Sequence, residues 1–230
     1  MSNKTKTKSI CILVYIVLTV SAFVTMLVVP TFRETFKKLS STIPYIMGFI
    51  KFSLLATAGE LIAAAIANRE FTLPVKIVWR FIIWGIIGVW ITFMMKVYSA
   101  AVGSLMSSGL LVGGDSKFLS ALFTSVIMNT TFGPTFMAVH KITDKMLELF
   151  AKKEKVTLTS IVKGIDWCGF WGFTILITVP FFWIPAHTVT FLLQPEYQVM
   201  MAAALSVALG IILSLGNRNK NKTLNKNEEK

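Results

Sequence analysis

The sequence predicts an all-α protein, a polytopic transmembrane bundle of about six spans. Two observations carry that expectation. Hydrophobic residues make up 54% of the 230 and charged residues only 15%, with a mean hydropathy of +0.69. The apolar residues also fall in runs long enough to cross a bilayer, which takes ~20 residues per helix. Soluble domains carry roughly 25% charged residues, and disordered chains need low hydrophobicity, so neither class fits.

The runs lie near residues 10–29, 43–67, 77–102, 118–140, 167–193 and 197–215. Residues 1–9 form a basic arm with Lys4, Lys6 and Lys8. The first run, Ile10 to Val29, has no charge. Val20-Ser21-Ala22 resembles a cleavage site, which leaves a signal peptide as the alternative. The stretch is longer than the roughly 7–15 residues of a signal core, however, and is read as a retained span. After Pro30, Thr31-Phe32-Arg33-Glu34 has capping-box spacing, and Phe32, Phe36 and Leu39 recur about one turn apart beside Arg33, Lys37 and Lys38. That pattern predicts a short interfacial helix.

Spans two and three are joined through Asn68 to Lys76. A flexible turn region from Gly103 to Lys117, with Gly109, Gly113 and Gly114, precedes span four. From Lys141 to Lys163 six lysines stand against Asp144, Glu148 and Glu154, while Ile142, Met146, Leu149 and Phe150 share a helical face. This segment is expected to lie along a membrane surface with its lysines toward anionic headgroups; continuation of span four into water is the alternative. The spans form one expected bundle domain over 10–215, and the Asn- and Lys-rich residues 216–230 are expected to be disordered.

Charge sets the expected orientation. With the amino terminus inside, sixteen Lys and Arg lie in inside segments and four (Arg33, Lys37, Lys38 and Lys117) in outside ones. Both termini are then cytoplasmic or equivalent, in a bacterial or organelle membrane. The net charge of +12 follows from this bias and does not call for nucleic acid as a partner.

Within the spans, small residues recur four apart as Gly59-Ala63-Ala67, Ala121-Ser125-Asn129-Gly133 and Ala202-Ser206-Gly210-Ser214. Such ridges let helix backbones approach closely, so they mark packing faces; a polar path lined by Asn129 is the alternative. Ionisable groups at this depth cost about 2.5–3.5 kcal/mol each. Glu60 and Lys51 are nine residues apart on one helix and point in opposite directions. Arg80 enters the next span from the side toward which Glu60 is displaced, predicting a Glu60–Arg80 ion pair. The alternative has Arg80 snorkelling to the interface and Glu60 wetted by a cavity. Lys51 and Lys96, in the outer half, are expected to snorkel; drawing anions into a vestibule is the alternative. Pro134 in span four, and Pro180 and Pro185 in span five, each remove a backbone hydrogen bond. Broken backbone at membrane depth must be satisfied by protein or water, so these two spans are expected to face inward.

Catalytic and metal signals are weak. Cys11 and Cys168 are far apart, and His140 and His187 fall near opposite membrane faces. No phosphate-cradling Gly loop, HExxH or GxSxG occurs. The expectation is a non-enzyme with neither cofactor nor metal. The partner classes left open are the lipid bilayer, a small solute or ion, and further copies of the chain in a homo-oligomer.

Trp183-Ile184-Pro185-Ala186-His187-Thr188-Val189-Thr190-Phe191, followed by Pro195, resembles the carboxy-terminal signature of the Mpv-seventeen and 22-kilodalton peroxisomal membrane protein family, Trp-Pro-x-x-Gln-x-x-Asn-Phe with a later Pro. Trp183, Phe191 and Pro195 match in register, His187 stands at the Gln, Thr190 at the Asn, and the Pro is displaced to Pro185. Thr57-Ala58-Gly59-Glu60-Leu61 is similar to the family's first span, and Asn129 with Pro134 to its Asp-Gln followed by Pro. The resemblance covers roughly residues 50–215 and implies a small integral protein, channel-like, of a bacterial or organelle membrane. It points to Glu60, Asn129, Trp183, His187 and Thr190. His187 and Thr190 depart from the family's amide pair, and His187 puts a titratable group near the outer face, from which a pH-dependent conductance is expected. A non-conducting membrane protein acting through partners is the alternative.

Overall fold

The computed structural model is 87% helical, with no strand among the described residues. It describes residues 3–68, 70, 73 and 76–228; for residues 3–6, 8 and 216–228 only the backbone is described. Arg69 and Lys230, and the side chains of Lys4, Lys6, Lys8, Arg218, Lys220, Lys222 and Lys226, thus lie outside the described part of the expected inside charge.

Six helices are long and apolar enough to span: Ser9–Val28, Pro44–Asn68, Ile77–Ser107, Lys117–Ala151, Trp167–Leu192 and Pro195–Leu215. The protein is a multi-pass membrane protein. Largely exposed apolar side chains, such as Leu18, Ile86 and Phe181 (64%, 60% and 77% exposed), fit a lipid solvent rather than water.

The elements run α1 (Asn3–Val28), α2 (Pro30–Thr42), α3 (Pro44–Asn68), α4 (Ile77–Ser107), α5 (Lys117–Ala151), α6 (Leu158–Lys163), α7 (Trp167–Gly169), two wide π-helical stretches (Phe170–Ile175 and Val179–Trp183), α8 (Ile184–Leu192) and α9 (Pro195–Glu228). The expected interfacial helix is α2, but the capping box does not form. Pro30 occupies the first turn, where its missing N–H costs nothing, so the helix starts ahead of Thr31 with Val29 as its cap. Helix α5 runs 35 residues, roughly 52 Å at 1.5 Å per residue. Residues 141–151 therefore continue span four instead of forming a separate surface helix, and only α6 remains of that expectation. The reason is local: no Gly or Pro follows Pro134 within the helix, and Glu148 pairs with Lys145 and Lys152 at 3.0 and 2.6 Å on its surface. Likewise α9 continues to Glu228 through residues expected to be disordered, since no Pro breaks the ladder beyond Gly216.

The chain divides into two compact units, Met1–Val89 with Met200–Lys230, and Trp90–Val199. Where one bundle domain was expected, α4 and α9 contribute residues to both.

In the first unit, small residues set the spacing. A Cβ on Gly88 of α4 would lie 2.3 Å from the Gly48 carbonyl oxygen of α3, so the two backbones touch where glycine meets glycine. A Cβ on Gly59 would lie 2.6 Å from Val207 Cγ2, and one on Gly210 3.9 Å from Ala63 Cβ. The first and third small-residue ridges thus face each other across α3 and α9. Tyr15 Oη donates to the Leu54 carbonyl at 3.0 Å, and the fully buried Ser53 donates to the Phe81 carbonyl at 3.1 Å.

In the second unit α5 and α8 make the most extensive helix contact. Trp90 of α4 meets Phe132 of α5 edge to face at 4.8 Å, and the Tyr98 and Thr131 hydroxyls share a 2.8 Å hydrogen bond.

Gly88→Ala is expected to lower the thermal midpoint of the solubilised protein, because a backbone carbonyl cannot swing aside. Gly103→Ala, whose Cβ meets nothing within 4 Å, is expected to hold or raise it, by the ~1 kcal/mol helix preference of Ala over Gly. Thermal unfolding of both variants in one detergent checks the opposite signs.

Candidate functional site

Both units hold polar groups within their apolar helices. In the first unit, Glu60 Oε1 accepts hydrogen bonds from Arg80 Nη1 and from Trp84 Nε1, both at 3.0 Å. The expected ion pair is present, with the Arg80 and Glu60 side chains 18% and 19% exposed. Arg80 and Trp84 stand one turn apart on α4, so one helix face presents a cation and a neutral donor to the same oxygen. Trp84 in turn stacks on Phe52 at 6.4 Å. Glu60 Oε2 is buried without a hydrogen-bond partner among the described residues.

Lys51 departs from its expectation. It does not snorkel: it is 3% exposed, donates to Ser40 Oγ at 2.8 Å and lies 4.4 Å from the Phe36 ring centroid. Both partners come from α2, whose buried face covers this turn of α3 and replaces water with a hydroxyl and an aromatic face. Lys96 is exposed, as a snorkelling lysine would be. The opposite directions expected for Lys51 and Glu60 are seen, one turned to α2 and the other to α4.

In the second unit the ridge Ala121-Ser125-Asn129-Gly133 is buried throughout, and without bulky side chains it lets α8 approach. Asn129 Nδ2 donates to the Ser125 carbonyl at 2.8 Å, which leaves its Oδ1 as an acceptor. That oxygen lies 2.9 Å from His187 Nδ1, so the imidazole is the donor and carries its proton on Nδ1. Ser125 Oγ donates to the Ile184 carbonyl at 2.7 Å. Ile184 is one turn from His187, so the bonds form a ring from α8 through α5 and back.

The prolines of span five alter the helix just ahead of this ring. Each is preceded by a π-helical stretch, and the i to i+5 bonds Leu176 N–H to the Trp171 carbonyl (3.0 Å) and Ile184 N–H to the Val179 carbonyl replace the regular ladder. Pro180 and Pro185 themselves are exposed; the opposite, inward side carries the ring. Pro134 lies inside α5, helical on both sides. Trp183 stacks on His187 at 5.2 Å, with its Nε1 buried and without a partner among the described residues. Thr190 is fully buried, but its hydroxyl donates to the Ala186 carbonyl one turn back and takes no part in the ring. His187 itself is buried.

Along α5 from this ring lies a cleft of about 490 Å³, bordered by the ends of α4 and α8, the 108–116 loop and the start of α5. Ser120, Ala121 and Thr124 form its α5 wall. Its loop is shaped by Gly109 and Gly113, at φ 75° and 114°, a region costly to side-chain-bearing residues. Ser116 caps α5 by accepting from Leu119 N–H at 3.3 Å.

Compared with protein-family models, curated proteins and solved structures, the chain matches none. Its sites are therefore read from their own chemistry. Sequence reasoning brought Glu60 to Arg80 and singled out Asn129 and His187. It missed Trp84, for which the i+4 spacing from Arg80 was a usable signal, and Ser40 and Phe36, for which there was none.

Removing one member of a buried ion pair leaves the other charge unpaired, which costs about 3–5 kcal/mol. Partial exposure puts this pair at the lower end. Glu60→Gln and Arg80→Gln are each expected to destabilise by about 3 kcal/mol, with the double variant recovering most of the loss and Trp84→Phe costing about 1.5 kcal/mol. Asn129→Ala should cost less, about 1 kcal/mol, since interhelical hydrogen bonds in membranes are worth about 0.6 and at most about 1.7 kcal/mol. Denaturation in mixed micelles ranks the variants; additive losses at Glu60 and Arg80 would show that the two do not act as a pair.

Proposed function

We propose that this membrane protein binds and passes a small polar solute through its second unit, in the manner implied by the resemblance to the Mpv-seventeen and 22-kilodalton peroxisomal membrane protein family. The observation that carries the reading is the polar cleft at one end of α5 and α8, whose α5 wall of Ser120 and Thr124 continues into Ser125 and Asn129. The solute enters from the face bearing the α4–α5 loop, which the excess of Lys and Arg in the alternate segments puts outside, with both termini cytoplasmic.

A second reading, a non-conducting protein that acts through partners, draws support from the ring itself, in which Asn129, His187 and Ser125 satisfy one another.

Single cysteines at Ser120, Asn129 and Thr190, in a background with Cys11 and Cys168 replaced, separate the two. The pathway reading expects membrane-impermeant reagents to label position 120 from the outside, and position 129 from at least one side on addition of a permeating solute. Protection of 129 and 190 under every condition, together with no solute flux in proteoliposomes, would favour the partner reading.

A further inference from the structure

Building on the solute reading, we infer that the cleft of the second unit selects a small zwitterion with an apolar tail, of the chemical class of an apolar α-amino acid. At about 490 Å³ the cleft lies within the roughly 300–1,000 Å³ of small-molecule sites. Its lining divides by character. Asp115 and Lys117 both border it, are exposed, and have no ion-pair partner among the described residues. The cleft therefore presents one anion and one cation, each available to a ligand.

The backbone sorts the two ends the same way. Lys117 opens the 35-residue α5, where N–H groups point outward and favour a carboxylate. Ser107 and Leu192 are the last residues of α4 and α8 and both border the cleft; Gln198 and Gly109 already donate to the Phe191, Leu193 and Met106 carbonyls, and the negative dipole ends of the two helices add to Asp115 in favouring an ammonium group. A ligand carboxylate thus meets Lys117 and the α5 start, and its ammonium meets Asp115 and the carbonyl ends. Between them Met106, Phe191 and Leu193 offer an apolar wall, which a purely ionic or polyol ligand would leave unmatched. A monovalent ion would meet either Asp115 or Lys117 as a like charge, whereas a zwitterion satisfies both.

Thermal shift of the purified full-length protein in nanodiscs, with leucine, 4-methylpentanoate and 3-methylbutylamine at equal concentration, tests this. Leucine is expected to raise Tm, while the two analogues, each lacking one charge, bind at least tenfold more weakly. Lys117→Gln should abolish the preference for leucine over the amine, and Asp115→Asn the preference over the carboxylate, each with a tenfold or greater loss of leucine affinity. Equal shifts by all three probes, no shift by any, or unchanged leucine affinity in both variants would overturn the inference. Leucine flux in proteoliposomes separates it from the pathway reading: binding without flux removes the pathway and leaves the site, while flux of other solutes without leucine preference removes the zwitterion site and leaves the pathway.

Discussion

Inside a bilayer no water is at hand to satisfy a polar group, so each buried N–H, C=O and charge must find its partner within the protein. The structure depends on that constraint more than on apolar contact, because lipid tails solvate Leu and Val as well as other side chains do. Its consequence is clearest where the backbone is broken. Pro180 and Pro185 interrupt the ladder of span five and the helix widens into π-helical stretches; beside them the Ile184 carbonyl accepts from Thr188 of its own helix and from Ser125 of α5. Asn129 and His187 complete the ring, so α5 and α8 are held together by groups that would each be costly alone. The small residues of α5 permit this, since bulkier side chains at the buried positions 121 and 125 would hold α8 too far away for hydrogen bonds.

The same constraint governs the charged groups of the first unit. Glu60 is met by a cation and an indole N–H on one oxygen. Lys51, on the opposite face of α3, is met by a hydroxyl and an aromatic ring from α2. An amphipathic helix that the sequence suggests is a float on the membrane surface is thus also a cover for a buried lysine. The close glycine contacts of α3 with α4 belong to this economy of distance, since the 3.0 Å bonds between Glu60 and α4 require neighbouring backbones.

Much of the fold was legible in the sequence. The six spans of the structure begin and end within a few residues of the apolar runs, except where α4 and α5 run on beyond them. A spanning helix is specified by local composition, and composition is what a sequence displays. The Glu60–Arg80 pair was legible for a related reason: a short connection between two spans leaves few places for the second charge. The continuation of α5 past His140 was not, because Lys-rich amphipathic residues suit a surface helix and an extended one equally, and continuity is decided by the absence of a break rather than by any residue present.

Composition, periodicity and the side on which Lys and Arg accumulate are properties of the chain taken a few residues at a time, so the sequence by itself determined the class, the spans and the expected orientation. Tertiary structure decided which polar groups meet. The proximity of His187 to Asn129, of Lys51 to Ser40, and of Asp115 and Lys117 to the ends of α4 and α8 joins residues from separate helices. Helix rotation and close approach, set by where glycine and alanine allow backbones to touch, fix those pairings; no stretch of sequence contains both partners within one helical turn.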